Sequence, residues 1–389
     1  MKKFAILGYG TVGKAVAEVW DELPEKPLAQ GPILVRHAYP ADRFSAYLTE
    51  DFSVIENDPE VAVVAEVIGG TDDAYTYSKR ALLAGKSVVS SNKALVAAHG
   101  AELFALAKKM GVSYRFEAAV AGGIPLLAPL TESLKSNRVT ELCGILNGTT
   151  NYILTAMKSE GAAYGDALKK AQELGFAEAD PTADVEGHDA GRKTAILASL
   201  AFGKNVRYED LSVQGITQIT PADLELADAL GCAVKLIGHT GCTEQGVYAF
   251  VEPHLVPRDK LLSAVNGVMN ACMVRCSAAN ELMFYGPGAG GRPTASAVCS
   301  DLLAAAKHAG DCMELSDEPV TLLDADELPS RWYVRCKAEP DALLAAFPTA
   351  RPVYGTSGEA GFITELCAKS ALTGALQAVN AACAWRVLD

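Results

Sequence analysis

The sequence lacks any hydrophobic run of the roughly 18 residues that a membrane-spanning helix needs, and the apolar stretch after Lys3 is too short for a signal peptide. It also lacks a cluster of lysine and arginine. Its 47 acidic and 34 basic residues leave a formal net charge of −13. We therefore expect neither a membrane nor a nucleic acid as a partner, because both present anionic surfaces.

Cysteine is sparse, with ten residues scattered through apolar segments of a chain of 389. This distribution predicts reduced core thiols and a cytoplasmic protein. The chain contains no Gly-x-Ser-x-Gly, His-Glu-x-x-His or Cys-x-x-Cys motif, so a serine-hydrolase or zinc site has no support. Hydrophobic residues make up 50% of the chain, which excludes general disorder and predicts about two or three domains.

The first third of the chain alternates short apolar runs with segments of helical period. Such alternation predicts a parallel sheet with helices on both faces, which is an α/β fold. The strands predicted from this pattern cover residues 4–7, 33–36, 61–68, 87–90 and 113–119.

From residue 124 the pattern becomes that of an α+β domain. Helices are predicted over residues 124–134, 151–158, 165–174, 184–202 and 261–269, and strands over 138–146, 234–238, 247–255 and 272–276. A glycine-rich crossing at 286–291 leads to a helix at 294–303, and the acidic stretch 311–330 is typical of a linker. A small βα module follows, with strands at 332–336, 362–367 and 385–388 and a helix at 372–382.

The strongest local motif is GYGTVG, which directly follows the first predicted strand and opens a helix. In a dinucleotide-binding turn, Gly8 permits the tight turn, Gly10 lets the backbone approach a pyrophosphate, and Gly13 lets helix and strand pack closely. Thr11 and Val12 then lie at the helix N-terminus, which faces the anion. The alternative interpretation is a glycine-rich turn that is only structural.

The second strand ends in Val35-Arg36-His37, and no acidic residue occurs there before Asp42. In NAD-binding proteins an acidic residue near this point binds the ribose hydroxyls, whereas an arginine accommodates the 2′-phosphate of NADP. Arg36 therefore predicts a preference for NADP, with NAD as the alternative. Arg36 could equally be a solvated residue at the end of a strand.

Two further segments carry candidate lysines. Lys93 follows the strand at 87–90, at the carboxyl edge where ligands of parallel sheets bind, although a solvated side chain is the alternative. At about 100° per residue, Asp189 and Lys193 fall within the apolar stripe of their helix, where a charged pair bears a desolvation cost. That pair is either a structural ion pair or a catalytic one.

Over residues 1 to about 310 the chain resembles the homoserine dehydrogenase family. Six ordered segments carry the resemblance: GYGTVG at 8–13, SNKALVAAHG at 91–100, EAAVAGGIPLL at 117–127, GILNGTTNYIL at 144–154, LGFAEADPTADVEGHDAGRKTAIL at 174–197 and GPGAGGRPTASAVCSDLL at 286–303.

The resemblance implies NAD(P)H-dependent interconversion of L-aspartate 4-semialdehyde and L-homoserine, on the route to threonine, methionine and isoleucine. It implies an N-terminal Rossmann nucleotide-binding domain at 1–132 and 286–312 and an α+β substrate-binding and dimerisation domain at 133–285. A shortened ACT-like module would occupy residues 330–389. We accordingly expect a homodimer.

The resemblance also implies roles for single residues. Lys193 would be the proton donor, Asp189 would orient it, and Lys93 would be a second acid–base or substrate-anchoring residue. Glu178 and Asp184 would bind the substrate ammonium, with Asn147, Gly148 and Thr149 beside the nicotinamide and substrate. Ser91, Asn92, Lys93 and Gly288 would contact the cofactor. A monovalent cation, sodium or potassium, would be held largely by backbone carbonyls near Glu117, Val120, Gly122 and Ile124.

The C-terminal tail departs from the family pattern. Its first turn reads Ala338-Glu339-Pro340-Asp341, where a glycine would usually follow the proline, so weak or absent inhibition by threonine is expected. Two competing interpretations are another NAD(P)-dependent dehydrogenase of an amino-acid semialdehyde and a catalytically silent nucleotide or amino-acid sensor. Intact Lys93, Asp189 and Lys193 favour an enzyme, because a sensor does not need them.

Overall fold

The computed structural model describes residues 1–37 and 42–389. Its strands are β1 Lys3–Leu7, β2 Ala29–Leu34, β3 Leu48–Thr49, β4 Val61–Glu66, β5 Ser87–Ser90, β6 Tyr114–Arg115, β7 Val139–Ile145, β8 Ser212–Val213, β9 Cys232–Cys242, β10 Val247–Pro257, β11 Met269–Cys276, β12 Asn280–Pro287, β13 Trp332–Cys336, β14 Val353–Tyr354, β15 Ala360–Ile363 and β16 Ala381–Val387.

The helices connect these strands mostly in the alternating order that the sequence predicts. They are α1 Thr11–Glu22, α2 Ser53–Glu56, α3 Asp72–Leu83, α4 Lys93–Met110, α5 Gly148–Glu160, α6 Tyr164–Glu173, α7 Thr182–Val185, α8 His188–Phe202, α9 Pro221–Ala229, α10 Gly291–Lys307, α11 Pro340–Ala346 and α12 Thr373–Ala378.

The first sheet is parallel, with the strand order β3-β2-β1-β4-β5-β6 of a dinucleotide-binding fold. Alternate residues of β1 point to opposite faces. Phe4 and Ile6 join a core formed with α1 and α10, whereas Ala5 and Leu7 join the core that includes α3 and α4. The packing of α10 on α1 fits the expected return of residues 286–312 to this domain, although the domain boundaries themselves stay predictions.

The second sheet has ten strands and is mixed, with the order β12-β11-β7-β9-β10-β16-β13-β15-β14 and with β8 on β10. Helix α8 packs against β9 and β10, and α5 packs against β9 and β11. A Cβ at Gly238 of β9 would overlap Oγ1 of Thr194, so glycine allows α8 to lie close to the sheet. This close packing brings α8 beside the end of β7, where the candidate site lies.

The C-terminal segment folds as β13-α11-β14-β15-α12-β16. Its four strands lie in the order β16-β13-β15-β14, and β16 pairs in parallel with β10 through His254 opposite Arg386 and Leu255 opposite Val387. The small βα module expected from the sequence is therefore present, and its strands continue the second sheet.

One predicted helix is shortened and another is largely wrong. Over 124–134 residues 127–133 are helical, including the irregular turn Pro129–Ser133, and the Glu117 carboxylate caps this helix by accepting the backbone amides of residues 126–128. Over 261–269 only Leu261–Ala264 forms a short turn, and β11 already begins at Met269. Neither difference has a local periodic signal.

Two other boundaries differ from prediction because residues with positive φ change the chain direction. The expected helix 184–202 is divided into α7 and α8 at Gly187, whose φ is +83°. The expected helix 372–382 ends at Ala378, because Asn380 has a φ of +48° and leads into β16. The predicted strand 362–367 is β15, which ends at Ile363.

Within the part of the chain that the structure describes, no helix combines the length and apolar character needed to cross a membrane. All ten cysteines are free, and six of them are buried.

Candidate active site

The glycine-rich turn between β1 and α1 has the geometry that the motif predicts. Gly8 has a φ of +98°, and a Cβ at Gly8 would lie 3.1 Å from the carbonyl oxygen of Val67. A Cβ at Gly13 would overlap the carbonyl oxygen of Gly8, so helix and strand could not pack as closely with any other residue there. A Cβ at Gly10 would meet no atom within 4 Å and would point into open space.

The N-terminus of α1 is available for an anion. Its capping residue, Gly10, offers no side-chain acceptor, and within residues 1–37 and 42–389 nothing accepts the backbone amides of Thr11, Val12 and Gly13. Free amides at a helix N-terminus, together with the helix dipole, bind phosphate groups. These features fit the pyrophosphate of a dinucleotide.

A cleft of about 580 Å³ lies beside this turn, a size typical of small-molecule sites. Arg36 lines the cleft as predicted, and its side chain is 78% exposed while forming an ion pair of 3.3 Å with Asp73. Glu50, which follows β3, also lines the cleft, although no sequence motif predicts it. The cleft therefore offers both a guanidinium and carboxylates to the ribose end of a dinucleotide.

The carboxyl ends of β4 and β5 are joined by Glu66, which is buried. It accepts hydrogen bonds from Oγ of Ser90 at 2.5 Å and from the backbone amide of Ile68 at 2.8 Å. Burial raises the pKa of Glu66 to about 7. Asn92 caps α4 through the amide of Leu95 and donates to the carbonyl of Ile68, so its side chain is engaged in holding these loops together.

The ends of α4 and α8 meet at Asp189. Its Oδ1 lies 2.6 Å from Nζ of Lys93, the first residue of α4, and its Oδ2 lies 2.7 Å from Nζ of Lys193, one turn further along α8. The prediction that Asp189 and Lys193 are buried is confirmed. Burial opposes ionisation of Asp189, but the ammonium groups of Lys193 and Lys93 outweigh it and hold the pKa of the carboxyl below its usual range.

The chain after β7 completes this network. Nζ of Lys193 also donates to the carbonyl of Leu146 at 2.7 Å, a partner that no side-chain motif could reveal. Nδ2 of Asn147 donates to Oδ2 of Asp189 at 2.9 Å and to Oδ1 of Asp184 at 2.7 Å. Burial raises the pKa of Asp184. Five of the predicted residues are thus in one hydrogen-bonded network.

Three other predicted residues flank the network. A Cβ at Gly148 would lie 2.6 Å from the carbonyl oxygen of Val268, which explains the glycine at the start of α5. Oγ1 of Thr149 donates to the carbonyl of Phe176 at 2.6 Å. Glu178 is exposed in the loop between α6 and α7, and its carboxylate has no hydrogen-bond partner in the described part of the chain. The structure does not join Glu178 to the network.

The candidate cation loop has free carbonyls. The Glu117 carboxylate is used by three backbone amides, at 2.6–2.8 Å. No donor among the described residues reaches the carbonyl oxygens of Val120, Gly122 and Ile124. The loop packs against the glycine-rich crossing, because a Cβ at Gly122 would overlap the carbonyl of Gly288. No cluster of His, Cys, Asp or Glu in the described residues could hold a metal ion, so only backbone oxygens are candidates there.

The sequence matches known proteins along most of its length. A family model described as homoserine dehydrogenase matches residues 125–303, and the model of the homoserine dehydrogenase NAD-binding domain matches residues 8–117. A homoserine dehydrogenase of Pseudomonas aeruginosa is 41% identical over 357 residues, which cover 87% of this chain and 82% of that protein. The chain belongs to the homoserine dehydrogenase family.

Solved structures agree with this assignment to the homoserine dehydrogenases. The crystal structure of a homoserine dehydrogenase from Thiobacillus denitrificans has a TM-score of 0.89 and 34% identity, covering 100% of this chain and 98% of that one. A hyperthermophilic archaeal homoserine dehydrogenase in complex with NADPH has a TM-score of 0.68 and 29% identity, covering 78% of this chain and 98% of that one. The chain is an NAD(P)-dependent oxidoreductase that acts on a CH–OH group.

Proposed function

We propose that this homoserine dehydrogenase reduces L-aspartate 4-semialdehyde to L-homoserine with Lys193 as the proton donor, in the biosynthesis of threonine, methionine and isoleucine. The supporting observation is the position of the Lys193 ammonium. Of its three N–H groups, one is directed to Asp189 and one to the carbonyl of Leu146. The third has no acceptor in the described structure and is available to a substrate oxygen.

A nicotinamide, when bound, would supply hydride to the aldehyde carbon, and negative charge would then develop on the aldehyde oxygen. Lys193 neutralises this oxygen by transferring a proton, directly or through one water. Asp189 orients Lys193 through their 2.7 Å ion pair. Lys93, on the other oxygen of Asp189, has a side chain that is 41% exposed, and we assign it substrate anchoring or a second acid–base role.

The substrate ammonium would bind to Asp184 and Glu178, because carboxylates are the groups that an ammonium requires. Asn147 orients Asp184 by its hydrogen bond, and the arriving positive charge favours the ionised form of Asp184 that burial disfavours. Glu178 would approach from the exposed loop. Gly148 and Thr149, at the start of α5, would lie beside the nicotinamide and the substrate.

The preferred cofactor under this proposal is NADPH. Gly8, Gly10, Thr11, Val12 and Gly13 would hold the pyrophosphate, and Arg36 would pair with the 2′-phosphate. The archaeal relative solved with NADPH supports the choice. Ser91, Asn92, Lys93 and Gly288 would contact the nicotinamide half.

Cofactor choice is tested by comparing kcat/KM for NADPH and NADH. We expect NADPH to be favoured at least about tenfold, and Arg36→Ala to remove most of that preference by raising the KM for NADPH alone. Glu50 and Asp73 would oppose a 2′-phosphate, so a tenfold preference for NADH would assign the ribose to these carboxylates instead.

A monovalent cation fits the free carbonyls of Val120, Gly122 and Ile124, next to Glu117. Sodium or potassium bound there would fix the loop against the glycine-rich crossing at Gly288. The rate should be higher in potassium or sodium chloride than in choline chloride of equal ionic strength. Equal rates in all three salts would remove the cation from the proposal.

The C-terminal module has the element order βαββαβ, which supports assigning residues 330–389 to a shortened ACT-like module. Because the turn at Pro340 lacks a following glycine, we propose that threonine inhibits weakly or not at all. Half-inhibition by low millimolar threonine would contradict this.

We further propose a cytoplasmic homodimer, paired through the domain of residues 133–285. The ten free thiols fit a reducing compartment. Light scattering coupled to size-exclusion chromatography should give twice the mass of the chain. A monomer at micromolar concentration would contradict the dimer.

The central experiment mixes the purified protein with L-aspartate 4-semialdehyde and NADPH and follows NADPH oxidation. We expect Lys193→Ala to lower kcat at least about 10²-fold while leaving NADPH binding intact. Lys204→Ala is the matched control, because Lys204 lies two residues after the end of α8 and, among the described residues, pairs only with Glu318 on the surface. Near-normal turnover by a folded Lys193→Ala protein would remove Lys193 from the reaction.

A further inference from the structure

Asn270, the second residue of β11, is a buried polar residue without partners. Its side chain is 1% exposed, and neither its Oδ1 nor its Nδ2 has a hydrogen-bond partner in the described structure. A buried amide without partners is costly and rare, so it requires an explanation. Asn270 is not part of the hydrogen-bonded network around Asp189.

The neighbouring buried asparagine shows that the fold can satisfy such a group. Nδ2 of Asn151 donates to the carbonyls of Val265 and Met269, and its Oδ1 accepts from Nζ of Lys235. Asn270 follows Met269 directly, yet receives none of these bonds. A general lack of acceptors near β11 therefore does not explain the unpaired amide.

The amide of Asn270 lies between two segments of the candidate active site. Gly288 belongs to the glycine-rich crossing. A Cβ added at Gly288 would overlap the amide group of Asn270 and would lie 2.6 Å from its Oδ1. A Cβ at Gly148, in the turn that begins α5, would lie 3.3 Å from the same oxygen. The preceding residue, Asn147, belongs to the network around Asp189. Asn270 thus lies against Gly288 and Gly148, the two residues that the proposed function places beside the cofactor and the substrate.

We propose that Asn270 is a positioning residue for the cofactor, whose amide pairs with peptide groups of the crossing at residues 286–291 when the dinucleotide is bound. This inference rests on the proposed contact between Gly288 and the cofactor. A carboxamide both donates and accepts, so it can bond to the N–H and C=O groups of a peptide. Its two polar atoms are enclosed by protein, which favours backbone partners over the ligand itself.

The crossing is suited to such an adjustment. Gly288 and Gly290 have no side chains to obstruct a change, and Gly290 already has a φ of +112°. The crossing connects β12 to α10, and its only backbone bond to the cation loop in the described structure is from the amide of Gly123 to the carbonyl of Pro287. A small backbone movement there would offer new partners to Asn270.

The test variant is Asn270→Leu, which keeps the shape of the side chain and removes its polar atoms. Because the amide has no partner in the unliganded protein, the thermal midpoint without NADPH should be unchanged or higher. The KM for NADPH should rise at least about fivefold, with kcat within twofold of wild type. The increase in thermal midpoint that NADPH produces should shrink correspondingly.

Two control variants separate the role of Asn270 from the contact between Gly288 and the cofactor. Met269→Leu, a volume-conserving change on the same strand, should leave the unliganded thermal midpoint, the KM for NADPH and the NADPH-induced increase in midpoint unchanged. An unchanged KM and an unchanged NADPH-induced increment for Asn270→Leu would overturn the proposal, whatever its stability. Gly288→Ala tests the crossing itself: if it alone raises the KM for NADPH, the cofactor contact holds and Asn270 has no part in it. If neither variant changes the KM, both the contact and the proposal fail.

The increase in thermal midpoint that NADPH produces is measured against the unliganded form of the same variant. It is therefore informative even where a substitution lowers the stability of the protein. If Asn270→Leu does not fold, Asn270→Ser replaces it with the same expectations for the KM and for the NADPH-induced increase in thermal midpoint, because the shorter hydroxyl cannot span to the crossing.

Discussion

At the scale of single residues, Asp189 holds two ammonium groups at one point of the site. Asp189 and Lys193 are both buried, and packing alone does not explain the desolvation cost of this pair. Lys93 and Lys193 together with Asp189 leave one net positive charge before Asp184 is counted. Positive charge fixed beside the substrate carbonyl would stabilise the alkoxide that develops during reduction. This excess charge favours a catalytic interpretation of the ion pair over a structural one.

Replacing Asp189 by Asn should therefore slow semialdehyde reduction. Without the carboxylate, the ammonium groups of Lys93 and Lys193 lose their shared partner, and Lys193 is no longer held in place to donate a proton. We expect kcat at neutral pH, measured as NADPH oxidation at saturating semialdehyde, to fall at least about tenfold.

Asp180→Asn is the control for this measurement, because Asp180 is exposed and bonds only to Thr182 in the described structure. A kcat for Asp189→Asn equal to that of wild type would show that Asp189 does not position the donor.

At the scale of elements, Glu66 connects two strand ends and the loop that leads to Lys93. Its carboxylate bonds to Ser90 of β5 and to the amide of Ile68, and Asn92 bonds to the carbonyl of the same Ile68. The carboxyl ends of β4 and β5 are thus tied together next to the cofactor cleft. The ionised form of Glu66 is disfavoured because the carboxyl is buried without a cationic partner.

The buried carboxyl of Glu66 predicts that the stability of the protein depends on pH. Burial raises the pKa of Glu66 from its usual value of 4.5 to about 7, so the folded protein binds more protons than the unfolded chain between these values. Stability contributed by Glu66 is present at low pH and is lost as the pH rises. Glu66→Gln cannot ionise, so relative to wild type it should gain about 2 kcal/mol in free energy of unfolding between pH 5 and pH 8.

Urea denaturation at several pH values measures this gain. Glu173→Gln, at the exposed end of α6, is the control and should follow wild type. A constant difference between Glu66→Gln and wild type across the range would contradict a raised pKa.

The sequence predicted the elements that depend on local periodicity. The parallel strands, the turn at Gly8–Gly13 and the burial of Asp189 with Lys193 all follow from spacing along the chain. The helix predicted from residue 124 begins only at residue 127, where the carboxylate of the distant Glu117 accepts the backbone amides of residues 126–128. Leu146, Glu50 and Asn270 were missed for a related reason: each acts through a tertiary neighbour, and a single sequence carries no signal for such contacts.

At the scale of the whole molecule, the C-terminal module is anchored to the substrate domain by more than a linker. Asp223 caps α9, is fully buried, and lies 2.6 Å from Nε of Arg335 in β13. Nη1 of Arg335 lies 2.6 Å from Oε1 of Glu359. Glu225 of α9 also accepts hydrogen bonds from Thr356. The acidic stretch 311–330 suggested that the substrate domain and the C-terminal module are separate units. These contacts and the pairing of β10 with β16 instead join the two in one sheet.

Removing the Arg335 guanidinium should therefore loosen the module without altering the reaction. Arg335→Met leaves the buried charge of Asp223 without its cation, which typically costs about 3–5 kcal/mol in free energy of unfolding. Turnover should stay within twofold of wild type, because Arg335 belongs to the C-terminal module and not to the network around Asp189. Arg331→Met is the control, since Arg331 is exposed and lies 3.7 Å from Asp389, and it should cost at most about 1 kcal/mol. If urea denaturation gave equal losses for the two variants, the ion pair with Asp223 would not be what secures the module to the sheet.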